Sequence, residues 1–358
     1  MVRLSWDQVN AWRLSRHHLF EQDRQADVPD IVSRICGLQG QVMSGAELAL
    51  WARLPQVEPS TLERLLWEER ALIKTWVMRG TLHILHGGDL PLYVAARQAH
   101  EIRRPPSYFT YHGVSPEEAA ANLQAVGAVL SESGMAREEL AEAVAGESDN
   151  PHLAEVLLSG WGALLKPSAF RGDICFGPDR GQNVTFVRPE RWLGQWKTFA
   201  PEEALREVAR RYLAAYGPAT PEDFARWWGL QPGDAKRLFR TVGDDLEAVE
   251  VDGWQALALV SSLPQIQQTE PRPVVNLLPA FDPYTIAHLR HPAILPETHK
   301  ARVSRPQGWI SPVALVSGRM AGVWEYERQR VATLGLPKPA GRLFRGDRSA
   351  DARRPGGG

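Results

Sequence analysis

Two glutamines, Gln39 and Gln41, stand in the run Ile35-Cys36-Gly37-Leu38-Gln39-Gly40-Gln41-Val42-Met43-Ser44, and neutral amides at that spacing can hold one small object, such as a water, between them. Local structure decides whether they do. On a helix each residue advances about 100°, so the pair would point about 200° apart. In an extended or cap-like segment, i and i+2 share a face. Gly37, Gly40, Ser44 and Gly45 are poor helix-interior residues, and Gly40 suits a helix C-terminal position at positive φ. The preceding helix is therefore expected to stop here, leaving Gln39 and Gln41 facing one cleft from a non-helical segment. The alternative is that both amides merely flank a helix stop and hydrogen-bond to backbone.

Other residues with chemical potential are less well arranged. Asp282, in Phe281-Asp282-Pro283-Tyr284, is a carboxylate in an apolar setting, but Asp before Pro favours a turn-former over a catalyst. Gln265 and Gln267 repeat the paired-amide spacing in what reads as a linker after Pro264. His17 and His18 diverge on a helix, His83 and His86 straddle a strand end, and His288, His291 and His299 lack nearby cysteines, so no metal site is expected. Phosphate loops, nucleophile elbows and dinucleotide fingerprints are absent, and no cofactor is expected.

The whole chain bounds these readings. Its 358 residues suffice for two or three domains, and 44% apolar with 23% charged residues is the composition of a folded protein. Cys36 and Cys175 make neither a disulfide framework nor a metal cluster, which fits a reducing compartment. With no secretory leader and no apolar run long enough for a bilayer, the expected location is the cytoplasm. A net charge of −1 does not advertise nucleic acid, so a phosphate-binding surface requires charges segregated onto one face.

The elements that must position the glutamines repeat one pattern. Helices are predicted over Ser5–Phe20, capped by Ser5, then Pro29–Leu38, Ala46–Leu54 and Ser60–Arg70, followed by β-rich Ile73–Met78 and Thr81–Leu85 about the turn Arg79-Gly80. Short helices followed by a hairpin is the order of a winged helix. It returns as Pro116–Glu132, Arg137–Ala145 and Pro151–Lys166, the last with Leu153, Val156, Leu157, Trp161, Leu164 and Leu165 at helical spacing, then strands 174–176 and 183–187. A third copy runs Pro201–Tyr216, Thr220–Trp228 and Pro232–Arg240, with a hairpin of Leu246–Val251 and Trp254–Leu259 about Asp252-Gly253. Past Ser261, strands at Val274–Leu278, Trp309–Val316 and Met320–Arg328 suggest a small barrel or sheet. The fold class is α+β: tandem winged-helix motifs at 1–104 (with the glutamines), 105–195 and 196–261, a β-rich, barrel-like domain at 262–336, and a disordered basic tail at 337–358.

Such units suit a duplex-sized partner, although winged helices also serve as protein-interaction modules. The candidate DNA-binding cations are Lys74 and Arg79 on the first wing, Arg180 near the second, and Lys236, Arg237 and Arg240 on the helix expected to be the third recognition helix, each of which could equally be part of a solvated face.

Taken together, Gln39-Gly40-Gln41, the run from Thr75 to His83, Leu277-Leu278-Pro279-Ala280-Phe281-Asp282-Pro283-Tyr284 and Gly308-Trp309-Ile310-Ser311-Pro312-Val313 resemble the AlkZ-like winged-helix DNA glycosylases, a group related to YcaQ-type bacterial glycosylases. The resemblance extends from the first helix to about Glu327. It implies a concave DNA-binding surface, catalysis by Gln39 and Gln41, and excision of alkylated purines, including bulky or crosslinked adducts, in self-resistance or repair. The YcaQ branch has an aspartate at the second catalytic position, so Gln41 sides with the AlkZ branch. Gly40 departs from the family's aliphatic residue, and the Arg/Gly/Pro-rich run after Tyr326 suggests that the last barrel strands are missing or replaced. The implied partner is double-stranded DNA, bound by a monomer. No lysine is indicated as a Schiff-base nucleophile, so the expected enzyme is monofunctional. A winged-helix transcriptional regulator without catalytic activity is the alternative.

Overall fold

The computed structural model describes residues 1–20, 26–99, 106–159, 162–327 and 330–334. Strand β1 (Val2–Leu4) leads into helix α1 (Trp6–Arg16), whose N-terminus is closed by a reciprocal capping box between Ser5 and Gln8. The first repeat follows with α2 (Val28–Arg34), β2 (Leu38–Gln39), α3 (Met43–Trp51), α4 (Thr61–Trp67), β3 (Leu72–Trp76) and β4 (Leu82–His86). Its sheet has the order β2-β4-β3, so the short strand between the helices closes onto the second strand of the hairpin.

Helices α5 (Leu90–Gln98) and α6 (Pro106–His112) connect to the second repeat: α7 (Pro116–Val129), β5 (Met135–Ala136), α8 (Arg137–Glu147), α9 (Pro151–Ser159), α10 (Lys166–Arg171), β6 (Cys175–Arg180) and β7 (Asn183–Val187). The sheet order β5-β7-β6 repeats that of the first. The third helix expected here, Pro151–Lys166, ends at Ser159; Trp161 lies outside the described residues, and Lys166 opens a separate helix with Pro167 in its first turn.

After α11 (Pro189–Leu193) the third repeat comprises α12 (Pro201–Tyr216), α13 (Pro221–Trp228), α14 (Pro232–Val242), β8 (Leu246–Val251) and β9 (Trp254–Leu259). A single bridge between Ala219 and Leu257 takes the place of the short strand. On the far side, β1 pairs in parallel with β8. The N-terminal segment, read from sequence as the start of the first unit, thus completes the third sheet. The reason is burial: Leu4, Trp6, Val9, Trp12 and Leu14 share a core with Val249, Val251, Leu278 and Tyr284, not with α2 to α4.

The chain ends in α15 (Leu263–Gln268), β10 (Val275–Leu278), α16 (Pro283–Ala287), α17 (Glu297–Val303), β11 (Val313–Val316), β12 (Arg319–Glu327) and β13 (Arg330–Leu334). Gln265 and Gln267 lie in α15 rather than in a linker, so their amides diverge. Strands β10 to β13 form an antiparallel meander in sequence order. Among the described residues this sheet does not close into a barrel. The strand expected to be missing after Tyr326 is present as β13, paired with β12 from Val323↔Leu334 to Glu327↔Arg330. The basic tail at 337–358 lies outside the described residues. No helix among the described residues is long and apolar enough to cross a membrane.

Candidate active site

The glutamine motif sits where the first repeat passes from helix to strand. Helix α2 stops because the Gly37 amide donates to the Val32 carbonyl (2.8 Å) while Cys36 and Gly37 adopt left-handed backbone, at φ 60° and 99°. The stop expected at Gly40 therefore falls three residues earlier, and Gly40 is not at positive φ. Its amide donates to the Leu82 carbonyl (2.8 Å), prolonging the β2–β4 pairing by one residue. Gln39 lies in β2, and Gln41 lies in a bend before α3. Both are outside helices, as the i, i+2 argument requires, but their burial differs. Gln39 is 7% exposed, whereas Gln41 is exposed.

Register explains what surrounds Gln39. Leu38 pairs with Ile84, and both enter the core beneath α2 to α4. The neighbouring rung reads Gln39↔His83↔Thr75 across β2, β4 and β3, placing three buried polar side chains on the opposite face. The Thr75 hydroxyl donates to the Ile174 carbonyl (3.3 Å) of the second repeat. His83 Nδ1 lies 2.9 Å from the Thr81 carbonyl, which requires Nδ1 to carry the proton and leaves Nε2 as the lone-pair nitrogen. Burial, reinforced by the Arg79 charge and opposed by the Thr81 bond, pushes the His83 pKa from 6.5 to about 3. The imidazole is neutral at physiological pH. Gln39 Oε1 is buried and has no hydrogen-bond partner among the described residues. An orphaned acceptor at that depth costs about 1–3 kcal/mol unless a donor is supplied, and a water O–H is the simplest donor.

His83 was read from sequence only as a strand-end histidine. The signal that could have singled it out was its place in the Thr75–His83 run, which supplies two of the three residues of this rung.

A turn from the C-terminal unit braces α3. The Ala280 carbonyl lies 3.1 Å from where a Cβ on Gly45 would be, and Gly45 is in the first turn of α3. Beyond the other end, Arg53 and Asp282, both fully buried, form a two-pronged ion pair (2.8 and 3.0 Å). Asp282 also accepts from the Tyr284 amide (2.9 Å) as the N-cap of α16, the turn-forming role expected for it.

The six candidate DNA-binding cations do not gather around the glutamines as free charges. Lys74 Nζ sits over the Phe176 ring, 5.2 Å from its centroid, with its pKa lowered by burial. Arg79 donates to the Trp227 carbonyl (2.6 Å), tying the first wing to the third repeat. The turn around it is also longer than the expected two residues: β3 ends at Trp76, β4 begins at Leu82, and Arg79 takes φ 55°. Arg180 pairs with Glu139 (2.8 Å), Lys236 with Glu222 (2.9 Å) and Arg237 with Asp234. Arg240 is exposed and makes no ion pair among the described residues.

Comparison with known proteins finds relatives that span nearly the whole chain. A family model described as DNA glycosylase AlkZ-like matches residues 32–353. A relative from Streptomyces sahachiroi, described as an interstrand DNA cross-link repair glycosylase, is 36% identical over 342 residues, spanning 94% of this chain and 92% of its own. The solved structure of Streptomyces sahachiroi DNA glycosylase AlkZ has a TM-score of 0.88 to this one at 36% identity, covering 96% of this chain and 93% of that chain.

Proposed function

The chain belongs to the AlkZ-like DNA glycosylase family, and we propose that it hydrolyses the N-glycosidic bond of N7- or N3-alkylated purines in duplex DNA, bulky and crosslinked adducts included. Membership in a family of N-glycosyl hydrolases sets aside the non-catalytic regulator. The observation that carries the reading is the buried Gln39 Oε1 without a partner, on the same rung as a neutral His83.

An N7- or N3-alkylated purine carries positive charge, so when the C1′–N bond breaks its electron pair neutralises the departing base. No strong acid is needed. The sugar becomes oxocarbenium-like, and a water must be held ready to form the new C1′–O bond, its proton passing to solvent. Gln39 Oε1 accepts a hydrogen bond from that water, while Gln41, at the exposed edge of the motif, completes its orientation; both amides face the developing cation without titrating. His83 keeps the rung neutral and polar. The named role of the 36% identical relative in cross-link repair supports extension to bulky substrates, which an exposed Gln41 can meet without a snug pocket.

The proposed partner is damaged double-stranded DNA, met by a monomer that needs no cofactor. Arg240 meets phosphate as it stands; Lys74, Arg79, Arg180, Lys236 and Arg237 do so by exchanging an internal partner for DNA. The test is incubation with duplex containing a single N7-methylguanine, followed by alkaline cleavage at abasic sites. Strand breaks at the lesion are expected. Intact strands with this duplex and with N3-methyladenine duplex would overturn the reading.

A further inference from the structure

The chain reaches Gln39 through a turn that it does not favour by itself. Between the end of α2 at Arg34 and the start of β2 at Leu38, Cys36 takes φ 60° and Gly37 φ 99°. A cysteine in left-handed backbone is strained, and such residues persist only where the surrounding structure over-determines them. Downstream the grip is short, because β2 consists of Leu38 and Gln39 alone, and a strand of that length fixes little. Cys36 itself offers no chemistry: burial pushes its thiol up to about 12, so it is neither charged nor nucleophilic.

The upstream grip comes from the third repeat, whose helix α12 packs against α2. Two of its side chains hold the stop. Tyr216, 1% exposed, donates its hydroxyl to the carbonyl of Ile35 (2.7 Å), the residue before Cys36. That bond fills an acceptor at a helix C-terminus, where the helix itself leaves carbonyls without partners. Arg211 pairs with Asp89 (2.7 Å), whose other carboxylate oxygen accepts from the Ser33 hydroxyl (2.5 Å) in the last turn of α2. The Tyr216 ring has little freedom to move: it stacks on Tyr212 with centroids 5.3 Å apart, and His17 and Trp227 close it in at 4.8 and 6.0 Å. A phenol enclosed by rings delivers its hydroxyl to one point.

We propose that Tyr216 is a positioning residue for base release: from the third repeat, its hydroxyl fixes the turn at 35–37 and through it the placement of Gln39 in the cleft, with the Arg211–Asp89–Ser33 chain as a second hold. The inference rests on the glycosylase reading and on Gln39 as its water-orienting group. Tyr216 is enclosed by the core and acts on the reaction only by way of Gln39, so the two side chains do not contribute independently.

The experiment measures single-turnover release of N7-methylguanine from duplex by the full chain, well below Tm, with duplex affinity alongside. The proteins compared are wild type, Tyr216→Phe, Tyr212→Phe, Ser33→Ala, Gln39→Ala and the double variant Tyr216→Phe/Gln39→Ala. Tyr216→Phe keeps the ring and removes the hydroxyl; release should slow about tenfold, since a catalytic group misplaced by about 1 Å can cost about 100-fold. Affinity should stay within about twofold, because the buried hydroxyl meets no phosphate. Tyr212→Phe removes the hydroxyl of the neighbouring ring, which makes no hydrogen bond to α2 among the described residues, and should release base at the wild-type rate. In the Gln39→Ala background, Tyr216→Phe should slow release no further, whereas a general loosening of the fold would add its factor there too. Ser33→Ala, which a helix accepts readily, frees α2 from Asp89 and should slow release about threefold; it decides the matter if Tyr216→Phe does not fold. Wild-type release by the deciding variant, wild-type release by Gln39→Ala, or an equal further slowing in the double variant would overturn the inference while leaving the glycosylase reading intact. A wild-type protein that releases no base would overturn both.

Discussion

Gln39 is the residue on which the proposed chemistry rests, because its carbonyl oxygen is buried without a partner among the described residues. Gln39→Ala and Gln41→Ala should each slow single-turnover base release on the order of tenfold or more, as one water-orienting hydrogen bond is worth about 1.4 kcal/mol of barrier. Duplex affinity should barely move, since neutral amides contribute little to phosphate binding; a double alanine variant releasing N7-methylguanine at the wild-type rate would remove the glutamines from the mechanism. His83 makes a different prediction. Its folded pKa of about 3 lies below the ordinary 6.5, so between those values the unfolded chain binds a proton that the folded chain refuses. Stability is full above the unfolded value and is lost as pH falls toward the folded one. Burial also lowers the pKa of His17 and His288, and holds that of His291 down to about 4, adding to the same slope. Each such histidine contributes up to about 1.4 kcal/mol per pH unit in that window. Urea midpoints should therefore fall from pH ~7 to ~5, and His83→Asn should narrow the difference; identical midpoints for the wild type at both pH values would contradict the neutral rung.

At the scale of elements, the helix stop and the strand after it make opposite demands on two glycines. Gly37 has φ 99°, and an added Cβ would lie 2.6 Å from Leu85 Cδ2 and 3.0 Å from the Ile84 carbonyl oxygen. Gly40 has no such constraint, and its added Cβ would rest 3.4 Å from Ile84 Cγ1. Gly37→Ala should cost about 2 kcal/mol or more, whereas Gly40→Ala should be neutral or stabilise by about 0.5 kcal/mol by restricting the unfolded chain. Chemical denaturation of both variants decides it, and a Gly40→Ala loss as large as that of Gly37→Ala would mean that β2 is not seated as described. The same geometry accounts for the departure from the family's aliphatic residue at this position: the space beside β4 admits a side chain but does not depend on one.

For the whole molecule, the decisive contacts join units far apart in sequence. The Arg53–Asp282 pair fastens the helix behind the glutamines to the C-terminal unit, and breaking a fully buried pair leaves an uncompensated charge. Asp282→Asn should therefore lose about 3–5 kcal/mol of stability, and activity should fall with it through a loosened α3; a thermal midpoint unchanged from wild type would show that the pair does not clamp the two units. Much of this architecture was legible from local sequence. Periodicity, capping residues and turn dipeptides located the helices of the three repeats other than α10, and the third hairpin at its residue bounds, because those signals act over a few residues. The paired glutamines stood out for the same reason: their spacing excludes a shared face on a helix. The tertiary structure alone decided the rest. β1 joined the third sheet because its apolar neighbours are buried there, and the meander remained open because no described edge brings β10 to β13. Of the cations expected to be free for DNA, Lys74 and Arg79 found a ring and a carbonyl in other units, which no local pattern specifies, while Arg180, Lys236 and Arg237 found carboxylates within their own. His83 took its place beside Gln39 through strand register, a relation between residues 44 apart that side-chain identity alone does not encode.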